Sequence, residues 1–248
     1  MLNVEISDLF IKNNKTHLSD VKFNIEKNMV YTILGANGSG KTTLIKSLTG
    51  LLDERFYSVT GKVIFEGKNI LTLKQEELLL LRKNKIKYLF QDAINSFDHL
   101  KDFGYYFNLL TKNKTEIDSL LEYFFLPKSK ELLKLYPYEV SGGMAQRINF
   151  VLTLLTHPQL LILDEPTSGI DLAISNLFLL KLKEFVGDAD NASLLVTHDL
   201  GFANKVSDRI AFLSKGKLTE FYSPEDFFKV TNYSELEKFL NSYNQLTS

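Results

Sequence analysis

Apolar and polar positions alternate at Val21, Phe23 and Ile25, and the chain then runs Met29-Val30-Tyr31-Thr32-Ile33-Leu34. The period of two predicts an edge strand, and the apolar run predicts a buried one. A glycine-rich stretch follows at once. Over residues 42–51 the apolar positions Leu44, Ile45, Leu48 and Leu51 return at helical spacing, with Gly50 near the end. The local order is strand, loop, helix. Residues 62–65 and 86–90 predict further strands, separated by a Leu- and Glu-rich helical stretch at 74–82. The pattern changes over 93–157, which is mostly helical, rich in aromatics and broken by Pro127 and Pro137. This segment reads as a helical subdomain inserted into an α/β core of residues 1–92 and 158–248. Residues 160–163, 193–197 and 210–213 predict buried strands with helices between them. Ser223-Pro224-Glu225-Asp226 predicts a helix start, with a serine N-cap and a proline in the first turn. There is no internal repeat.

A chain of 248 residues that is 44% hydrophobic has ample material for a buried core. Its 29 basic and 30 acidic residues leave a net charge of -1, so no nucleic-acid partner is expected. Without cysteine it has no disulfide and no cysteine-held cluster. The opening Met1-Leu2-Asn3-Val4-Glu5 lacks the basic and apolar pattern of a secretory signal. The apolar stretches at 148–155 and 160–163 fall well short of the ~20 residues that span a bilayer. Any membrane role is therefore expected to be peripheral.

Gly35-Ala36-Asn37-Gly38-Ser39-Gly40-Lys41-Thr42 matches the pattern G-x-x-x-x-G-K-[ST] between a predicted strand and a predicted helix. Such glycines let backbone N–H groups turn inward around a triphosphate, and the helix start adds partial positive charge. Lys41 is placed for the β- and γ-phosphates, and Thr42 for magnesium. The predicted nucleotide-binding set is Gly35, Asn37, Gly38, Ser39, Gly40, Lys41, Thr42 and Thr43. Leu160-Leu161-Ile162-Leu163 ends in Asp164-Glu165, and a strand end beside a phosphate loop is where α/β sheets bind ligands. Asp164 is expected to hold Mg2+, and Glu165 to polarise the water that attacks the γ-phosphate.

Ser141-Gly142-Gly143-Met144-Ala145-Gln146-Arg147 opens a helix with the apolar face Ile148, Val151, Leu152 and Leu155. Taken with the two preceding motifs, in this order, the chain resembles the nucleotide-binding domain of ABC ATPases, and the resemblance covers nearly its whole length. It implies a P-loop NTPase core, a mixed sheet flanked by helices with an antiparallel β edge at the N-terminus, carrying an ABC-type helical insert. It also implies ATP and Mg2+ as ligands, and ATP hydrolysis as the reaction. Domains of this family dimerise head to tail, so Ser141, Gly142 and Gly143 are expected on the γ-phosphate held by a partner's loop. Gln91 matches the glutamine that touches magnesium and water, Ser168-Gly169-Ile170-Asp171 resembles the loop that crosses the dimer interface, and His198 matches the histidine that contacts the γ-phosphate. An aromatic that stacks on adenine is usual about a dozen residues into such chains. Here Phe10-Ile11-Lys12-Asn13-Asn14 leaves that contact unassigned.

Pro137, the Ser-Gly-Gly-Met signature and Gln91-Asp92-Ala93-Ile94-Asn95-Ser96-Phe97-Asp98 resemble the ATPases of nickel and peptide importers. Length and the absence of cysteine tilt the reading slightly toward the shorter, nickel or metal-chelate type. The resemblance implies a motor on the cytoplasmic face of the cell membrane, paired with a second ATPase, a heterodimer ahead of a homodimer. Two permease subunits and, indirectly, an extracytoplasmic substrate-binding protein complete the expected assembly. Phe97, Phe103, Tyr105 and Tyr106 either line the groove for the permease or belong to a packed helical core, and the sequence leaves both open for each of them. The alternatives are a soluble ABC ATPase acting as an assembly scaffold, as in iron-sulfur cluster assembly, and a regulatory subunit without turnover, which intact Glu165 and His198 disfavour.

Overall fold

The computed structural model describes residues 1–12, 16–187, 190–230 and 233–247. The chain opens with β1 (Leu2–Ile11), β2 (Thr16–Ile25) and the wholly buried β3 (Val30–Leu34), followed by α1 (Lys41–Ser47). Next come β4 (Tyr57–Phe65), β5 (Lys68–Asn69), α2 (Gln75–Asn84) and β6 (Ile86–Leu89). Four helices succeed them: α3 (Phe103–Leu110), α4 (Lys114–Tyr123), α5 (Ser129–Leu132) and α6 (Gly142–Leu154). The remainder alternates as β7 (Leu160–Asp164), α7 (Leu172–Gly187), β8 (Ala192–Thr197), α8 (Leu200–Val206) and β9 (Arg209–Ser214). Then follow β10 (Lys217–Leu218), α9 (Pro224–Phe227) and α10 (Ser234–Thr247). Among the described residues no helix is long and apolar enough to cross a membrane.

The strands form two sheets. One is antiparallel throughout, in the order β2-β1-β4-β5. The other, β10-β9-β3-β8-β7-β6, is parallel except for β10. The antiparallel N-terminal strands therefore make a sheet of their own. Every residue of β3, β7 and β8 is buried, which is why these strands read as unbroken apolar runs.

β1 escapes the sequence pattern because its pairing with β4 shifts register between Ile6 and Asp8. That irregularity moves the buried set from Leu2, Val4 and Ile6 to Leu9, and a strict alternation is lost. β4 begins five residues before its predicted start because Tyr57 to Lys62 lie largely exposed and carry no apolar run. Gly61 sits where the two strands approach, with φ +130, and a Cβ there would lie 2.0 Å from the Glu5 carbonyl oxygen. Gly61→Ala should accordingly destabilise the fold by roughly 3 kcal/mol or more, through overpacking and backbone strain combined. Urea unfolding measures it, and an unchanged midpoint would contradict this account.

α1 stops at Ser47, short of the predicted 51. Gly50 turns left-handed at φ +62, and the Leu51 amide bonds the Lys46 carbonyl at 3.0 Å, closing the helix end. Ser223 caps α9 as expected, accepting from the Asp226 amide.

The helices between β6 and β7 share one hydrophobic cluster with the parallel sheet, joining Phe103, Phe107, Phe124 and Phe150 to Leu89, Leu163 and Phe178. The Phe150 and Phe178 rings stack with centroids 4.5 Å apart. Phe97 and Phe103 are buried here, meeting edge to face at 5.2 Å, so they cannot line an open groove. Phe103 lies on the face of α3 that meets the core, and Phe97, ahead of that helix, packs on Phe103 and Tyr106. Tyr105 is exposed under the Lys101 ammonium, and Tyr106 is partly buried against the cluster.

Candidate nucleotide site

The loop joining β3 to α1 has its glycines where side chains are excluded or the backbone turns left-handed. A Cβ at Gly35 would meet the Leu213 carbonyl oxygen at 2.5 Å and Ser39 Oγ at 2.7 Å, while Gly40 has φ +102 and Gly38 φ +77. Lys41, only 6% exposed, folds back over the loop to donate to the carbonyls of Gly35 at 2.7 Å and Ala36 at 3.2 Å. Ser39 Oγ is buried and makes no hydrogen bond among the described residues. A buried hydroxyl without a partner costs free energy unless a ligand satisfies it. The loop therefore suits phosphate oxygens.

β7 delivers two carboxylates to the same place. Asp164 accepts from Thr42 Oγ1 at 3.1 Å and from the Tyr88 phenol at 2.7 Å. Burial raises the Asp164 pKa, and the bonds from Tyr88 and Thr42 oppose that rise. Burial also raises the Tyr88 phenol, with the Asp164 charge adding to it, so the phenol stays a proton donor. Glu165 turns with φ +47, a rare conformation for a side-chain-bearing residue. Its Oε1 lies 3.4 Å from Lys41 Nζ; its Oε2 faces Thr197 Oγ1 at 3.0 Å and His198 Nδ1 at 3.0 Å. His198 keeps 55% of its side chain exposed, whereas Glu165 is buried.

A cleft of about 330 Å³ gathers Asn37, Gly38, Gly40, Lys41, Thr42, Thr43, Gln91 and Glu165. His17, on β2, also lines it. Most of the expected nucleotide set and Glu165, the carboxylate expected to polarise water, thus face one space. Thr42 and Asp164 supply hard oxygen donors side by side, which fits magnesium, an ion that keeps waters and shares substrate phosphates. Among the described residues no group of three or more His, Cys, Asp or Glu could hold a metal by itself.

Ser141, Gly142 and Gly143 do not line this cleft. Ser141 is exposed and caps α6, accepting from the Met144 amide at 3.3 Å. Gly143 lies against Ile170 and the Gly169 carbonyl, so the signature adjoins the loop expected to cross a dimer interface. Behind it the buried Gln146 donates to the Pro166 carbonyl at 3.2 Å, tying α6 to the segment just past Glu165. Phe10 lies on β1 outside the cleft, and Asn13 and Asn14 lie outside the described residues.

Sequence reasoning did not single out Tyr88, Thr197 or His17. Tyr88 and Thr197 carried a faint signal, since each stands on a strand that leads directly into a motif. His17 carried none.

The ABC transporter family matches residues 18–168 of the chain. The dipeptide transport ATP-binding protein DppD of Bacillus subtilis is 32% identical over 236 residues, covering 91% of this chain and 70% of that protein. The metal-staphylopine import system ATP-binding protein CntD of Staphylococcus aureus is 34% identical over 212 residues, covering 82% of this chain and 78% of its own length. Among solved structures, a dimeric ATP-binding cassette in a post-hydrolysis state with ADP and Pi superposes with a TM-score of 0.78. It shares 21% identity and covers 90% of this chain and 99% of the other, which speaks to the fold alone.

Proposed function

The chain belongs to the ABC transporter family, and from that premise we propose that it is the ATP-hydrolysing motor of an importer of peptides or metal chelates. The observation that carries the mechanism is the convergence of Lys41, Thr42, Gln91 and Glu165 on one cleft from which the chain's own signature is absent. One chain therefore offers two halves of different sites. A second ATPase would place its signature over this cleft, while Ser141, Gly142 and Gly143 would cover the γ-phosphate bound by that partner.

When ATP enters, the Gly35–Thr43 segment wraps the phosphates, and Lys41 exchanges its contact with Glu165 for phosphate oxygens. Thr42 and Asp164, with Gln91 beside them, would hold Mg2+, which would supply positive charge to offset that of the phosphates. Glu165, freed on its Oε1 side and steadied by Thr197 and His198 on the other, takes the proton of the attacking water. His198 stands at the exposed end of this chain of contacts, where it can meet the γ-phosphate.

The segment 93–157 acts as the subdomain that receives a permease, with 1–92 and 158–248 as the catalytic part. Two permease subunits and an extracytoplasmic binding protein would complete the assembly at the cytoplasmic face of the membrane, with a heterodimeric pair of ATPases. The relatives named above are transport and import subunits, so the scaffold reading has no support among them. Coexpression with candidate permeases and a second ATPase tests the proposal. The membrane-bound assembly is expected to copurify and hydrolyse ATP, while the lone chain binds ATP and turns over slowly. Full turnover by the dilute, monomeric chain would sink the composite-site reading.

A further inference from the structure

Asp164 is held from both sides. Thr42, which binds Oδ1 at 3.1 Å, belongs to the phosphate-loop motif; Tyr88, which binds Oδ2 at 2.7 Å, belongs to none. The two residues of the second bond stand 76 positions apart in the chain. Strand register brings them together: Tyr88 pairs with Ile162 across the parallel β6–β7 ladder, and Asp164 lies two positions further on the same face. The Tyr88 ring also packs on Phe90, just past the end of β6, with centroids 4.6 Å apart, which helps to hold the phenol in place.

A carboxylate that must present one oxygen to a metal has a broad terminal torsion to control. The phenol commits Oδ2 as an acceptor and leaves Oδ1 to Thr42, which itself lines the cleft. We propose that Tyr88 is a positioning residue for the metal that accompanies ATP, holding the Asp164 carboxylate in its binding orientation. The proposal rests on the reading of Asp164 as a magnesium holder. Partners that orient a ligating carboxylate commonly change metal affinity 10- to 100-fold.

Tyr88→Phe tests this, because it keeps the ring and its packing on Phe90 and removes only the hydroxyl. Free Mn2+ is counted by electron paramagnetic resonance in titrations of the full chain with ATP, and ATP affinity is measured in parallel in EDTA. The Mn2+ dissociation constant of the ATP complex is expected to rise by about tenfold, with the affinity in EDTA unchanged. Unchanged Mn2+ affinity, or an equal loss with and without metal, would overturn the proposal. Asp164→Asn separates the two levels of the argument. It should weaken Mn2+ binding and cancel the further effect of Tyr88→Phe in the double variant. If Asp164→Asn leaves Mn2+ affinity intact, the assignment of Asp164 itself falls. If it weakens Mn2+ binding and Tyr88→Phe does not, only the role of Tyr88 falls.

Discussion

Glu165→Gln is expected to lower ATP turnover in the assembled transporter by about 10³-fold while ATP binding is retained. The side chain keeps its size, and the amide oxygen can still accept from Thr197, which bonds Oε2 at 3.0 Å in the native protein. What is lost is a group able to take the proton of water. A second consequence follows from the ion pair. Lys41 Nζ lies 3.4 Å from Glu165 Oε1, inside a site where both residues are buried, so phosphate oxygens must compete with that carboxylate for the ammonium. With a neutral amide the competition weakens, and ATP affinity should stay level or rise. An ATP-loaded dimer should then accumulate, visible by size-exclusion chromatography. Turnover close to that of the native protein would remove Glu165 from the mechanism.

Lys41→Ala acts on the other partner and in the other direction. Hydrogen bonds to charged groups contribute about 1.5–3 kcal/mol each, so losing the ammonium should weaken ATP binding by about 10²-fold or more. Its native partners in the loop are the carbonyls of Gly35 and Ala36, so the substitution removes two hydrogen bonds within the loop and none between secondary-structure elements. Glu165 retains the donors Thr197 and His198. The fold should therefore survive, and the ATP-induced rise in melting temperature should disappear, because a ligand stabilises only as far as it binds. Calorimetry of ATP binding decides the matter; an unaltered affinity would contradict the assignment.

Much of the site was legible because its signals are local. The phosphate loop is eight consecutive residues between a buried strand and a helix, and the strand ending in Asp164-Glu165 is an apolar run that stops at charge. The same locality sets the limit. Aromatic content marks a surface and a core alike, so the sequence left Phe97 and Phe103 open between groove and core, and the packing of α6 beside them decided for the core. β1 was hidden by a single register shift at Ile6 and Asp8, which no count of alternating positions can anticipate.

The amino-acid pattern alone determined the strand, loop and helix around the phosphate motif, the all-buried strands and the family likeness, since backbone hydrogen bonding and amphipathic periodicity act over a few neighbouring residues. The tertiary structure alone decided that Tyr88 meets Asp164, that Thr197 and His198 share one oxygen of Glu165, that His17 borders the cleft and that the signature stays outside it. Those contacts depend on which strands become neighbours and in what register. That choice belongs to the packing of the whole chain, because a side chain on one strand meets another only after both sheets and the helices covering them have been assembled.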